Sequence, residues 1–90
     1  MGTFSVVGTV PNFRGDQFNL PADNGVDLEA FYKTEKIDTI LTYSGGRPVV
    51  TVSGLSFVRA CRPGLRVRYT IASVDRSNGR GIRGVKLEPL

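Results

Sequence analysis

Arg76-Ser77-Asn78-Gly79-Arg80-Gly81-Ile82-Arg83-Gly84 packs three arginines and three glycines into nine residues. A guanidinium presents a planar fork of donors that fits a phosphate, and glycine lets a backbone approach one closely. The chemistry available to this stretch is therefore the gripping of an anion, not the making of a bond. Arg66 and Arg68 are two apart in an alternating segment just upstream and extend the same patch to five arginines. The competing reading of the segment is a solvated hairpin tip.

The remaining reactive side chains exclude most catalysis. The chain contains no histidine, which removes Ser-His-Asp triads, Cys-His pairs and histidine-based zinc sites. The six acids of the first half show no spacing that singles out a catalytic pair. Cys61 is the one cysteine, so no internal disulfide can form; it reads as a small half-buried hydrophobe in a reducing compartment. We expect no enzyme activity, no metal site and no cofactor. Arg14-Gly15-Asp16 matches an integrin tripeptide, but nothing else has an extracellular character. Gly79, Gly81 and Gly84 outline a dinucleotide fingerprint, but that motif must open a helix and here a strand follows.

Charge is divided along the chain. Residues 1–45 carry three basic and six acidic groups, and residues 46–90 carry nine basic and two acidic ones. Eight of the nine bases are arginines. Such asymmetry points to a polyanionic partner for one face, and arginine suits phosphate and base stacking better than lysine does. Aromatic side chains decide whether such a face also stacks bases. Phe4 and Tyr69 fall on apolar strand faces and read as core. Phe13, beside Arg14 in a polar loop, is the best stacking candidate, and Tyr43 joins it if its strand presents it outward.

These residues must be positioned by a small single domain, residues 1–90, without an apolar run long enough to span a membrane or a secretory pattern. Phe4, Val6, Gly8 and Val10 alternate with polar positions and predict a strand with one core face. Residues 11–25 read as a long loop, with a short strand allowed near Gln17–Leu20. Residues 26–43 are ambiguous. Val26, Leu28, Ala30 and Tyr32 alternate as in a strand, while Leu28, Phe31 and Tyr32 fit a helix with Asp27 as N-cap. Two strands with a turn near Lys33–Lys36 is the preferred reading, because Ile37–Tyr43 is β-branched. Ser44-Gly45-Gly46-Arg47-Pro48 marks a turn and Val49–Ser53 a strand. Ser53 could cap a helical turn ended by Pro63-Gly64. Leu65, Val67, Tyr69 and Ile71 predict a strand with Arg66 and Arg68 outward. Asn78-Gly79 predicts a type I′ hairpin, with Val85 and Leu87 on one face of the return strand.

The opening Phe4-Ser5-Val6-Val7-Gly8-Thr9-Val10 resembles the first strand of small OB-fold proteins that bind single-stranded nucleic acid. The ending resembles their last two strands: Arg62-Pro63-Gly64-Leu65-Arg66-Val67-Arg68-Tyr69, a glycine-rich loop, then Val85-Lys86-Leu87-Glu88-Pro89-Leu90. Chain size and the Pro-Gly-Leu lead into a terminal hairpin are similar to the single-stranded-DNA-binding proteins of filamentous bacteriophages. That resemblance implies a viral replication protein that forms homodimers or higher homo-oligomers on DNA in the cytoplasm of a bacterial or infected cell. It covers about half the chain. The acidic stretch 26–43 and the loop 11–25 depart from the pattern.

The expectation is an all-β protein, a five- or six-stranded OB-like barrel with room for one short helical turn. It would bind single-stranded DNA or RNA with little sequence preference. Arg66, Arg68, Arg76, Arg80 and Arg83 would neutralise phosphates, with Phe13, Arg14 and Tyr43 at the edge of the site. The rival expectation is a viral or host interaction module, or an assembly subunit, that sets its basic face against an acidic protein.

Overall fold

The computed structural model describes residues 2–90. The described residues form strands β1 (Thr3–Thr9), β2 (Gln17–Pro21), β3 (Thr42–Ser44), β4 (Arg47–Ser53), β5 (Arg66–Arg76) and β6 (Gly79–Pro89). Helix α1 (Gly25–Thr34), a 3-10 turn (Asp38–Ile40) and helix α2 (Leu55–Arg59) complete the chain. The six strands make two antiparallel sheets, ordered β1-β5-β6 and β2-β4-β3. The mostly-β class follows the alternation in the sequence. None of these helices is long and apolar enough to cross a membrane.

The two sheets share one core. Val6 and Val10 of the first strand region, Leu20 and Val52 of the second sheet, Leu28 of α1, and Val67 and Ile71 of β5 are all buried in it. The sheets meet at β1. Asp23 N–H donates to Val7 C=O at 2.7 Å. The Asn24 carboxamide completes this edge as a strand would: it accepts from Val7 N–H at 3.1 Å and donates to Ser5 C=O at 2.9 Å. Gly8 allows the approach, because a Cβ there would lie 2.2 Å from Pro21 O. The result is a rolled, open barrel, joined along β1 and unpaired between β6 and β3.

Residues 26–43 correct the two-strand expectation. They form α1, the 3-10 turn and the three-residue β3. A strand would have buried Val26 with Leu28; instead Val26 is 81% exposed while Leu28 and Tyr32, four apart, are buried. Tertiary burial of one helical face outweighed the local alternation. Asn24, not Asp27, is the N-cap residue, and its side chain is spent on β1. A Schellman arrangement ends the helix: Lys36 N–H bonds Lys33 C=O at 3.0 Å and Ile37 N–H bonds Tyr32 C=O at 2.9 Å. Lys36 takes the left-handed position, φ 60°, where glycine is usual. Lys36→Gly is expected to raise stability by about 0.5–1 kcal/mol, read as a higher urea midpoint with an unchanged slope.

The last hairpin forms where expected but turns differently. Arg76 pairs with Gly79, so the turn residues are Ser77 and Asn78. Gly79 has a positive φ, 126°, and neither turn residue does, so the type I′ expectation is corrected. Val85 is corrected too. The β5–β6 register slips between Thr70 and Ile71, and the extra residue, Val85, is left 47% exposed while Leu87 packs on the core.

Candidate nucleic-acid interface

Strand alternation puts Val67, Tyr69, Ile71 and Ser73 of β5 inward and leaves Arg66 and Arg68 on the outer face. Register carries the same face across β6. Glu88 lies opposite Arg68, Lys86 opposite Thr70, Arg83 opposite Ala72, and Gly79 opposite Arg76. Arg66, Arg68, Arg76, Arg83 and Lys86 therefore share one outer face. Small residues lie between them. Ser5 and Thr70 join hydroxyls at 3.2 Å, and Ala72 and Gly81 continue the floor.

Several of these cations already hold carboxylates. Asp23 receives both Arg66 and, at 2.8 Å, Arg47. Glu88 receives Arg68 at 3.2 Å and Lys86 at 3.6 Å. All of these groups remain substantially exposed, so the pairs are weak and can exchange for a phosphate. Arg76 donates to Ile82 C=O at 2.9 Å and lies over Gly81, where a Cβ would sit 2.7 Å from its Nε. Arg83 has no ion-pair partner among the described residues.

Arg80 is turned to the other side. Its guanidinium donates to Glu35 C=O at 2.7 Å, lies 3.2 Å from Asp75 and 3.7 Å from the Glu35 carboxylate. Glu35 also accepts Gly2 N–H at 3.0 Å and the Ser73 hydroxyl. This network bolts the hairpin and β1 to the end of α1. Arg80→Met is expected to lower stability by roughly 1–2 kcal/mol, since hydrogen bonds to a charged group are lost. Oligonucleotide affinity should stay within about twofold, as Arg80 is off the outer face.

The carboxylates give the fold an acid limit. The Ser73 hydroxyl, the Gly2 N–H and Arg80 hold Glu35 below its ordinary value. The Arg66 and Arg47 guanidinium groups do the same for Asp23. A lowered folded-state pKa means the unfolded chain binds protons first. Stability is then full above the ordinary carboxylate range near pH 4 and falls as pH drops through the folded values. Thermal melts from pH 7 to pH 2.5 should show this fall, and Asp23→Asn with Glu35→Gln should flatten it.

The aromatic candidates lie elsewhere. Phe13 packs on buried Phe18 with ring centroids 4.8 Å apart and is itself half-buried. Tyr43 is 53% exposed, but its hydroxyl donates to Glu29 at 2.5 Å. That bond pushes the phenol pKa up. Its ring thus stands beside an acid, on the α1 side. That side also carries Asp27 and an open cavity of about 490 Å³ between Asn24, Val26 and Pro48. No group of acids and cysteines among the described residues is arranged to hold a metal ion.

Arg14 is exposed in the loop between β1 and β2. Val10 N–H bonds Leu65 C=O at 2.8 Å and Gly64 N–H bonds Val10 C=O at 2.9 Å. Gln17 pairs with Ser53 at the far end of the loop. The loop carrying Arg14 and the segment from the end of α2, carrying Arg59 and Arg62, therefore share one end of the barrel. Arg14, Arg59 and Arg62 have no ion pair among the described residues. Sequence reasoning passed over Arg59, Arg62 and Lys86 as candidate site residues. Lys86 was not legible: it lies three residues after Arg83 and joins the same face only through the bulge at Val85.

The chain matches no protein-family model, and no curated protein and no solved structure is detectably similar to it.

Proposed function

We propose that this protein binds single-stranded DNA or RNA through phosphates along the outer face of the β1-β5-β6 sheet, with little sequence preference and without catalysis. The observation that carries the reading is the row Arg66, Arg68, Lys86, Arg83 and Arg76 over a floor of Ser5, Thr70, Ala72 and Gly81 with Val7 and Val74. A cationic strip with no aromatic ring on it reads charge and spacing, not bases. Arg14, Arg59 and Arg62 offer the polyanion a continuation at the barrel end. Phe13 and Tyr43 stand outside this reading.

Self-association has a physical motive. The α1 side bears Asp27, Glu29 and Asp38, and a neighbouring copy's basic face complements it. Cooperative coating of a strand would follow, and sedimentation should show assemblies that dissolve at high salt. The lone Cys61 suits a reducing cytoplasm.

The test is fluorescence anisotropy with labelled oligothymidine across a salt series. Binding in the micromolar range or tighter, with a log–log slope of about 0.7 per phosphate engaged, supports the reading. No binding at low salt sinks it and transfers the face to an acidic protein partner.

A further inference from the structure

We propose that the open side of the barrel is a docking slot for an uncharged extended peptide, which adds a strand to β4. The inference does not rest on nucleic-acid binding.

β3 is too short to cover its neighbour. It pairs with Arg47, Pro48 and Val49, whereas β4 continues to Ser53. On its other side β4 is paired by β2 from Val49 to Ser53. Successive residues of an antiparallel strand turn their N–H and C=O groups to opposite sides. Pro48 C=O accepts Ala22 N–H on the β2 side, at 3.0 Å. Val50 and Val52 therefore face β2, and Thr51 and Ser53 face the side that β3 leaves bare. Both line a slot of about 290 Å³ between the sheets. Two residues offering N–H and C=O on one edge are the template on which an extended peptide pairs.

The slot selects the chemistry of its guest. Buried Tyr32 and Val50 line it together with Ile40 of the 3-10 turn and Ile82 of β6, and no residue lining it is charged. A phosphate or a charged side chain would lose its hydration there with no counter-charge in return. Apolar or hydroxylated side chains lose nothing comparable. Tyr32 is 2% exposed. Burial pushes its pKa up to about 12, so it meets a guest as a neutral phenol.

Three of the sheets' end strands are guarded. β1 is closed by Asn24, β6 carries a bulge with Arg83 and Lys86, and β3 has three residues. Bulges, charges and shortness are the usual defences of an edge. Val50–Ser53 has none of them.

The probe is a capped peptide of alternating threonine and valine, titrated into the full chain labelled with nitrogen-15. The amides of Thr51 and Ser53 should shift, and their hydrogen exchange should slow at least about tenfold at saturation. The amides of Arg68 and Arg83 should not move. The same peptide with proline at its centre should not bind. Thr51→Pro removes an N–H that the fold itself does not use, so it should fold and lose the peptide. If that variant fails to fold, the proline peptide still decides. Unmoved Thr51 and Ser53 amides at millimolar peptide, equal shifts with the proline peptide, or displacement by oligothymidine would each overturn the proposal.

Discussion

Gly8→Ala should lower the melting temperature by roughly 12–20 °C, the equivalent of about 3 kcal/mol in a chain of this size. The added methyl would sit 2.2 Å from Pro21 O and 3.2 Å from Leu20 Cδ1. A backbone carbonyl cannot rotate out of the way. The two sheets would have to separate where Asp23 and Asn24 bridge them. Leu20→Ala is the comparison, because it empties space at the same seam; loss of a buried leucine costs about 2–5 kcal/mol. Both variants should melt early. Only Gly8→Ala should also speed exchange of the Val7 and Asp23 amides. A melting temperature within a few degrees of the parent would mean that β1 and β2 do not approach there.

Replacing Arg68, Arg76 and Arg83 together by glutamine should weaken oligothymidine binding by about 30- to 100-fold at low salt. The log–log slope should fall by about 2, at about 0.7 per lost phosphate contact. Stability should change little, since Arg68 shares an exposed carboxylate and Arg83 has no ion partner. Arg80→Met in parallel separates the two roles: it should cost stability and spare binding. If the triple variant binds as the parent does, the outer face is not the site. Attention would then pass to Arg14, Arg59 and Arg62 at the barrel end.

Legibility in the sequence was uneven for physical reasons. Thr3–Thr9 and Arg66–Arg76 were readable because each buries one face, so period-two alternation is written into the residues. α1 was not readable. Its apolar residues satisfy both periods, its N-cap side chain is used elsewhere, and its stop is Lys36 and not glycine. The usual boundary signals were therefore absent. In the hairpin the arginines were visible, but their directions were not. A one-residue bulge at Val85 decides which side chains of β6 join the outer face.

Residue identity and local period set what the candidate face is made of: a carboxy-terminal half rich in arginine, no histidine, one cysteine, and a terminal hairpin built of alternating residues. Neither needs a partner. Tertiary structure decided which charges are available. Asp23, Glu35 and Glu88 lie far along the chain from the arginines they hold, and only folding brings them within 4 Å. It also decided that Arg80 is a structural bolt, that Tyr43 stands beside an acid, and that β4 keeps a bare edge. Each of these depends on register and on the meeting of two sheets. Contacts between residues distant in the chain are set by the packing of the whole core, and local sequence carries no record of them.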